Sequence, residues 1–271
     1  MVYEQVGQRL RQEAAERPEL ANTIDLYCAL LEAQGRARIE PGVAPDAAEV
    51  VARLEQGLPV LSPEALAVDN EALGELCDEI VSILAARRPE QADALASLRT
   101  WLARERERLG ALAAQYLREG RIGEGGDEAD LLAFIFDTAL HPFLRAWALL
   151  LAPLLEGRTW YRGVCPACGG DPDFAALDRR GGRRRLFCPR CDTEWTFRRV
   201  GCPFCDNDDP RQLGYFPSGD GAYRVSVCGA CRRYIKTIDL REVKGERLPA
   251  MERVLTLGID LAAQKAGYLG G

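Results

Sequence analysis

The stretch RRRLFCPRCDTEWTFRRVGCPFC, Arg183 to Cys205, decides how this chain folds. It holds two Cys-Pro-x-Cys pairs, Cys188/Cys191 and Cys202/Cys205, separated by ten residues. Either the four thiolates grip one metal ion, or each pair belongs to a different site. The segment between them has no Gly or Pro before Gly201, and Thr193–Val200 reads as one extended strand with Trp195 and Phe197 on the same face. At the rise of an extended strand, its eight residues hold the pairs roughly 25 Å apart. Thiolates that share a metal all lie about 2.3 Å from it. The two pairs are therefore predicted to serve two sites.

Working outward, two further pairs flank the stretch, Cys165/Cys168 before it and Cys228/Cys231 after it. The outer gaps, of 19 and 22 residues, each carry a hairpin signal. In the first, DFAALD runs out, RRGGR turns and RRLF returns to Cys188; in the second, RQLGYF runs out, PSGDG turns and AYRVSV returns to Cys228. Glycines at the tips permit the positive φ that tight turns need. The predicted unit is knuckle, hairpin, knuckle, strand, and it occurs twice, with RRYIKTID in the second copy standing where DTEWTFRR stands in the first. This assigns Cys165, Cys168, Cys188 and Cys191 to one site and Cys202, Cys205, Cys228 and Cys231 to the other. The nested alternative, in which the outer pairs share a site, requires the middle strand to fold back on itself.

The spacing has a chemical reason. A Cys-x-x-Cys knuckle directs two sulfurs at one point, and an opposed knuckle completes a tetrahedral all-sulfur shell suited to zinc or mononuclear iron. Each module is too small for a self-sufficient core, so metal binding is expected to contribute much of its folding free energy. The rival reading, thioredoxin-like redox pairs, expects a strand before and a helix after each pair, and neither pattern is present.

Composition supports a two-part chain. Across 271 residues the formal charge is −6, but residues 1–159 carry 16 Arg and no Lys against 27 acids, whereas 160–271 carry 19 basic residues against 14 acids. The opening MVYEQVGQRLRQEAAERPEL has no basic n-region or apolar h-region. With cysteines grouped in pairs rather than spread as a disulfide framework, the reducing cytoplasm is the expected compartment.

Residues 1–159 read as an all-helical bundle of six or seven helices. Leu73, Leu76, Cys77, Ile80, Val81 and Leu84 follow the spacing of an amphipathic helix. Ser62-Pro63-Glu64 places a capping Ser before a Pro at a first helical position. Arg88-Pro89 separates that helix from one running to about Glu119, and GRIGEGGDEAD, 120–130, reads as a glycine-rich acidic loop with Asp127 as the next cap. The apolar run 131–155 is long enough for a bilayer, but Asp137, His141, Pro142 and Arg145 interrupt it near the middle. A charge at the bilayer centre costs about 2.5–3.5 kcal/mol. It is read as two core helices meeting at His141-Pro142, with no membrane insertion. Cys28 and Cys77 fall on apolar stripes and are expected to be inert core residues.

No other catalytic constellation is visible: there is no phosphate-binding Gly loop and no HExxH, and His141 is the only histidine. Arg179, Arg180, Arg183, Arg184 and Arg185 crowd the first hairpin tip and are candidate contacts for an acidic partner. Direct nucleic-acid binding is disfavoured by the overall acidity.

The series CPACGGDP, RRRLFCPRCDTEW, RRVGCPFC and VCGACRRYIKTID, with the closing helix ERVLTLGIDLAAQKAGY, resembles the formate dehydrogenase accessory protein (FdhE) family. The resemblance implies a cytoplasmic, non-enzymatic protein. It would help mature respiratory formate dehydrogenases by binding the molybdenum- or tungsten-containing catalytic subunit before twin-arginine export. It also implies that all eight paired cysteines hold metal, with rubredoxin-type iron favoured and zinc the alternative. One departure is local: a rubredoxin knuckle commonly has Gly after each pair, and here Gly169 is followed in later pairs by Asp192, Asp206 and Arg232.

The expected architecture is α+β: a helical domain over 1–159, a first four-cysteine rubredoxin-like or zinc-ribbon module over 160–200, and a second module with a C-terminal helix (about Pro249–Ala266) over 201–271. The competing functions are a redox carrier using iron in these sites and, less favoured, a nucleic-acid-binding zinc-ribbon protein. Oligomeric state is left open.

Overall fold

The computed structural model describes residues 2–40, 42–43, 45–122, 127–218 and 221–270, and the backbone alone of Asp127. Residues 123–126 of the acidic loop, the capping role of Asp127 and the second hairpin tip at 219–220 lie outside the described residues. The chain forms two compact units, residues 1–44 with 61–150 and residues 45–60 with 151–271. The boundary expected at 159 is thus displaced: the segment 45–60 goes with the cysteine-rich half.

The helical unit contains α1 (Val2–Glu16) and α2 (Ala21–Arg36), then α4 (Asn70–Arg87), α5 (Ala92–Arg104), α6 (Leu109–Glu119) and most of α7 (Asp127–Leu155); α3 (Ala47–Glu55) belongs to the second unit. The predicted stripe on α4 is buried throughout, from Leu73 to Leu84. It meets a core that includes Leu10, Ile24, Leu95, Leu102, Ile135, Phe136 and Leu140, all essentially inaccessible. Burial of each such side chain contributes about 1.5–3 kcal/mol.

Three helix boundaries differ from expectation, each for a local reason. Ser62 precedes a single 3-10 turn, Pro63–Ala65, without a side-chain capping bond, and α4 starts later, where the Asp69 carboxylate accepts from the Ala72 N–H at 2.8 Å. The helix expected to reach Glu119 breaks at Arg106–Arg108. There Arg106 reaches back to Glu71 and Asp78, while the Asn70 side chain donates to the Glu107 carbonyl and accepts from the Gly110 N–H. Residues 131–155, in contrast, are not two helices but part of one. Pro142 removes the N–H that would bond the Thr138 carbonyl. The buried Gln34 amide donates to that carbonyl at 2.8 Å instead, so the helix continues. Among the described residues α7 is long and apolar enough to cross a bilayer, and its Ile135, Phe136, Ala139 and Leu140 are buried within the protein.

The second unit is built on one six-stranded sheet, with strands β1 (Phe174–Leu177), β2 (Arg184–Phe187), β3 (Glu194–Phe197), β4 (Leu213–Pro217), β5 (Tyr223–Cys228) and β6 (Tyr234–Asp239). Their order is β3-β2-β1-β6-β5-β4. Both hairpins form where predicted, with Phe174 opposite Phe187 and Leu213 opposite Cys228. Strands β3 and β6 occupy equivalent places in the two copies, each antiparallel to the returning strand of its own hairpin. The two modules are then joined by parallel pairing of β1 with β6, Phe174 beside Lys236 and Leu177 beside Asp239. The middle strand is shorter than expected: its ladder ends where Phe197 pairs with Arg184, the first residue of β2.

The C-terminal helix is two helices, α8 (Pro249–Leu255) and α9 (Leu257–Lys265). At the junction the Thr256 hydroxyl donates to the Glu252 carbonyl at 2.6 Å, a back-bond that bends helices. Ala263 of α9, with Tyr268, packs on Val227 and Tyr234 and covers one face of β5 and β6.

Candidate metal centres

The four knuckles share one backbone design. In the first, the Cys165 N–H donates to the Gly170 carbonyl and the Gly169 N–H returns to the Cys165 carbonyl, both at 2.9 Å. The same pair of bonds recurs at Cys188, with Thr193 and Asp192, and at Cys228, with Arg233 and Arg232. At Cys202 the bond to the Asn207 carbonyl is present at 2.8 Å. This loop forces a left-handed residue directly after each pair. Gly169 supplies it at φ 76°, and Asp192, Asp206 and Arg232 adopt it at φ 59°, 57° and 58°. They are the three non-glycine residues with positive φ among the described residues.

Such a conformation costs a residue with a side chain about 1–2 kcal/mol. At each of the three an arginine contact holds the residue in place. Arg253 Nη1 lies 3.4 Å from the Asp192 carboxylate, and Arg198 donates to both the carbonyl and the carboxylate of Asp206. Arg232 stacks its own guanidinium over Tyr268, 4.3 Å from the ring centre.

Opposed knuckles bring the sulfurs together in the sequential assignment. Cys165, Cys168, Cys188 and Cys191 form one group and Cys202, Cys205, Cys228 and Cys231 the other, with the sulfurs of each group within 4.8 Å of one another. The nested pairing is excluded by this arrangement. Across the first group the Sγ separations are 3.6 Å (Cys165–Cys191) and 3.5 Å (Cys168–Cys188); across the second they are 3.6 Å (Cys202–Cys231) and 3.8 Å (Cys205–Cys228). A tetrahedron with metal–sulfur bonds of about 2.3 Å has sulfur–sulfur edges of about 3.8 Å. The donor set and its dimensions therefore fit one ion per group, iron or zinc.

The two cages differ in environment. In the first, all but the half-buried Cys168 are buried; in the second, Cys205 is exposed and Cys231 half-buried. Burial pushes the Cys165 thiol well above its ordinary range, aided by the crowding of the other three sulfurs. At Cys228 burial acts in the same direction, but the Cys231 N–H and the Asn207 amide outweigh it and bring the thiol down to about 7. In the first cage the Thr193 hydroxyl lies 3.1 Å from Cys191 Sγ.

The five arginines of the first hairpin do not form one patch. Arg179 donates to the carbonyls of Val243 and Gly245, Arg183 pairs with Asp178, and Arg185 pairs with Glu194. Arg184 is buried, donates to the Gly201 carbonyl at 2.8 Å and lies against the Phe197 ring. Arg180 remains exposed at the tip. His141 sits inside α7, with Nδ1 2.9 Å from the Tyr3 hydroxyl. Cys28 and Cys77 are buried in the helical unit, and burial pushes Cys77 up to about 12. The pinning residues Arg198, Arg253 and Tyr268 carry no sequence signal of their own; only the missing glycines at 192, 206 and 232 pointed to a need for them.

Comparisons with known proteins agree with this architecture. No protein-family model matches the chain. An FdhE homolog from Edwardsiella ictaluri is 30% identical over 281 residues, covering 98% of this chain and 85% of that protein. An FdhE homolog from Aquifex aeolicus is 33% identical over 150 residues, 54% of this chain and 52% of the relative. Among solved structures, the FdhE protein from Pseudomonas aeruginosa matches with a TM-score of 0.68 and 26% identity, covering 98% of this chain and 92% of that one.

Proposed function

The chain belongs to the FdhE family, and from that premise we propose that it is a cytoplasmic accessory protein for the maturation of formate dehydrogenase. In this reading it binds the immature molybdenum- or tungsten-containing catalytic subunit and acts by binding rather than by turnover. Each four-cysteine group holds one ion, rubredoxin-type iron by preference and zinc as the alternative. The observation that carries the reading is the pair of all-sulfur cages in a chain alignable over 98% of its length with an FdhE homolog. What the chain's own residues do is hold eight thiolates at tetrahedral spacing and fuse the two cages into one sheet through β1 and β6. A bound ion would lock each pair of knuckles together and, if iron, supply a one-electron couple.

The test is recovery of the tagged protein from its own host. Copurification of a formate dehydrogenase catalytic subunit, with loss of formate oxidation in a deletion strain, supports the role. Wild-type formate oxidation in the deletion strain removes it.

A second reading is favoured by one observation. The exposed Cys205 gives the second cage an outlet to solvent that suits electron exchange with a partner. A reversible visible spectrum, bleached by dithionite and restored by air, supports that redox role; a colourless two-zinc protein from the native host removes it.

A further inference from the structure

One face of the β4–β6 half of the sheet is covered by α9 and Tyr268. The other carries a concavity of about 270 Å³. Ser226 and Ile235, which are register partners on β5 and β6, line it from the sheet, and Val200 and Phe204 border it from the loop leading into and through the third knuckle. Cys202 and Cys228 form part of its wall, so it abuts the second cage, on the sheet face opposite α9. Four arginines line it, Arg184, Arg199, Arg224 and Arg233, and no acidic residue does.

The four cations differ in how they are balanced. Arg224 is paired with Asp239 and Arg233 with Asp171. Arg184 has no carboxylate partner among the described residues, but it is buried and donates to the Gly201 carbonyl. Arg199 is exposed and pairs with no carboxylate among the described residues. The site is therefore an apolar hollow with one uncompensated cation at its rim. Val200 and Tyr215 are 58% and 62% exposed, so apolar surface continues beyond the hollow. Tyr215 lies on β4, the edge strand of the sheet, where an extended segment can add by main-chain hydrogen bonds. Nucleic acid would need a track of free cations along its phosphates, and among the described residues that line the hollow Arg199 alone is free.

We propose that this hollow receives an extended apolar peptide segment of a partner protein, bearing a carboxylate that Arg199 engages. The proposal rests on the reading that the chain works by binding another protein, and it names the surface.

The test is selection of a random eight-residue peptide library on the full-length, metal-loaded protein. Enrichment of Asp or Glu beside apolar residues is expected. Affinity of the enriched peptide should fall at least tenfold in Arg199→Glu and in Tyr215→Ala, and stay unchanged in Arg180→Glu. Both altered side chains are exposed, and unchanged metal content verifies that each variant is folded. Absence of any enriched peptide, enrichment of basic peptides, equal affinity in Arg199→Glu, or displacement of the peptide by oligothymidylate at lower concentration would overturn the proposal. Copurification of the formate dehydrogenase subunit is a separate readout: if it persists in Arg199→Glu, the hollow is not the docking site and the accessory role stands.

Discussion

Arg232 holds a left-handed backbone at φ 58° while its guanidinium lies 4.3 Å from the centre of the Tyr268 ring. The stack joins the last knuckle of the second cage to the segment after α9. Tyr268→Ala removes a cation–π contact worth about 0.5–1 kcal/mol together with the packing on Val227 and Tyr234. It is expected to lower thermal stability and speed metal release from the second cage. Arg232→Gly loses the same contact but relieves about 1–2 kcal/mol of backbone strain, so its stability is expected to stay near wild type or rise. Arg232→Val has the strain without the stack and is expected to be the weakest. Thermal unfolding and chelator-driven metal release of the three variants check this ranking.

The continuity of α7 through Pro142 depends on Gln34. Gln34→Ala leaves the Thr138 carbonyl buried without its donor, a loss of about 1–3 kcal/mol. Pro142→Ala restores a backbone N–H at that position, so the double variant is expected to recover much of the loss. A double-mutant cycle by urea unfolding measures the coupling; additive losses would remove Gln34 from this role.

The cages are expected to part with their metal at different rates. Cys205 is exposed and Cys231 half-buried, whereas three of the four sulfurs of the first cage are buried. A competing chelator should release metal in two phases, the faster from the second cage. Mass mapping of alkylated thiols should find Cys205 and Cys231 modified before Cys165, Cys188 and Cys191.

Asp239, at the end of β6, accepts from Arg241 and Arg224 and is almost inaccessible. Chiefly the Arg241 side chain holds its carboxyl below the usual range. A carboxylate with a depressed folded pKa contributes stability that is full above its unfolded value, about 3.9, and is lost as pH falls through the lower folded value. Asp239→Asn is therefore expected to cost about 1–2 kcal/mol at neutral pH, because Asp239 is buried but the arginines it leaves behind reach solvent. That difference should hold constant down to about pH 4 and shrink below it. Urea unfolding of both proteins from pH 7 to pH 3 measures it; a difference that grows on acidification contradicts the assignment.

Much of the architecture was legible because local chemistry encodes it. The Cys-x-x-Cys spacing set the knuckles, Gly-rich tips set the hairpins, and the Leu73–Leu84 periodicity set α4. What escaped were pairings between residues distant in sequence. Strand β1, paired with β2 on one edge and in parallel with β6 on the other, is buried on both faces, and FAAL, with no polar residue in it, was the one hint. The rescue of Pro142 by Gln34 spans 104 residues, and the Asn70 bridge that breaks the α5–α6 run spans about 40. Residues 45–60 read as part of the helical half, yet the Val60 N–H bonds the Pro166 carbonyl inside the first knuckle.

The measurement that tests the central claim most directly is the metal content of two fourfold variants, each with one cysteine group changed to serine. One has Ser in place of Cys165, Cys168, Cys188 and Cys191; the other has Ser in place of Cys202, Cys205, Cys228 and Cys231. Two ions per chain are expected in the wild type and one in each variant, because each group is a complete cage. A wild-type chain with a single ion, or variants that both lose all metal, would contradict the assignment of two independent four-cysteine centres.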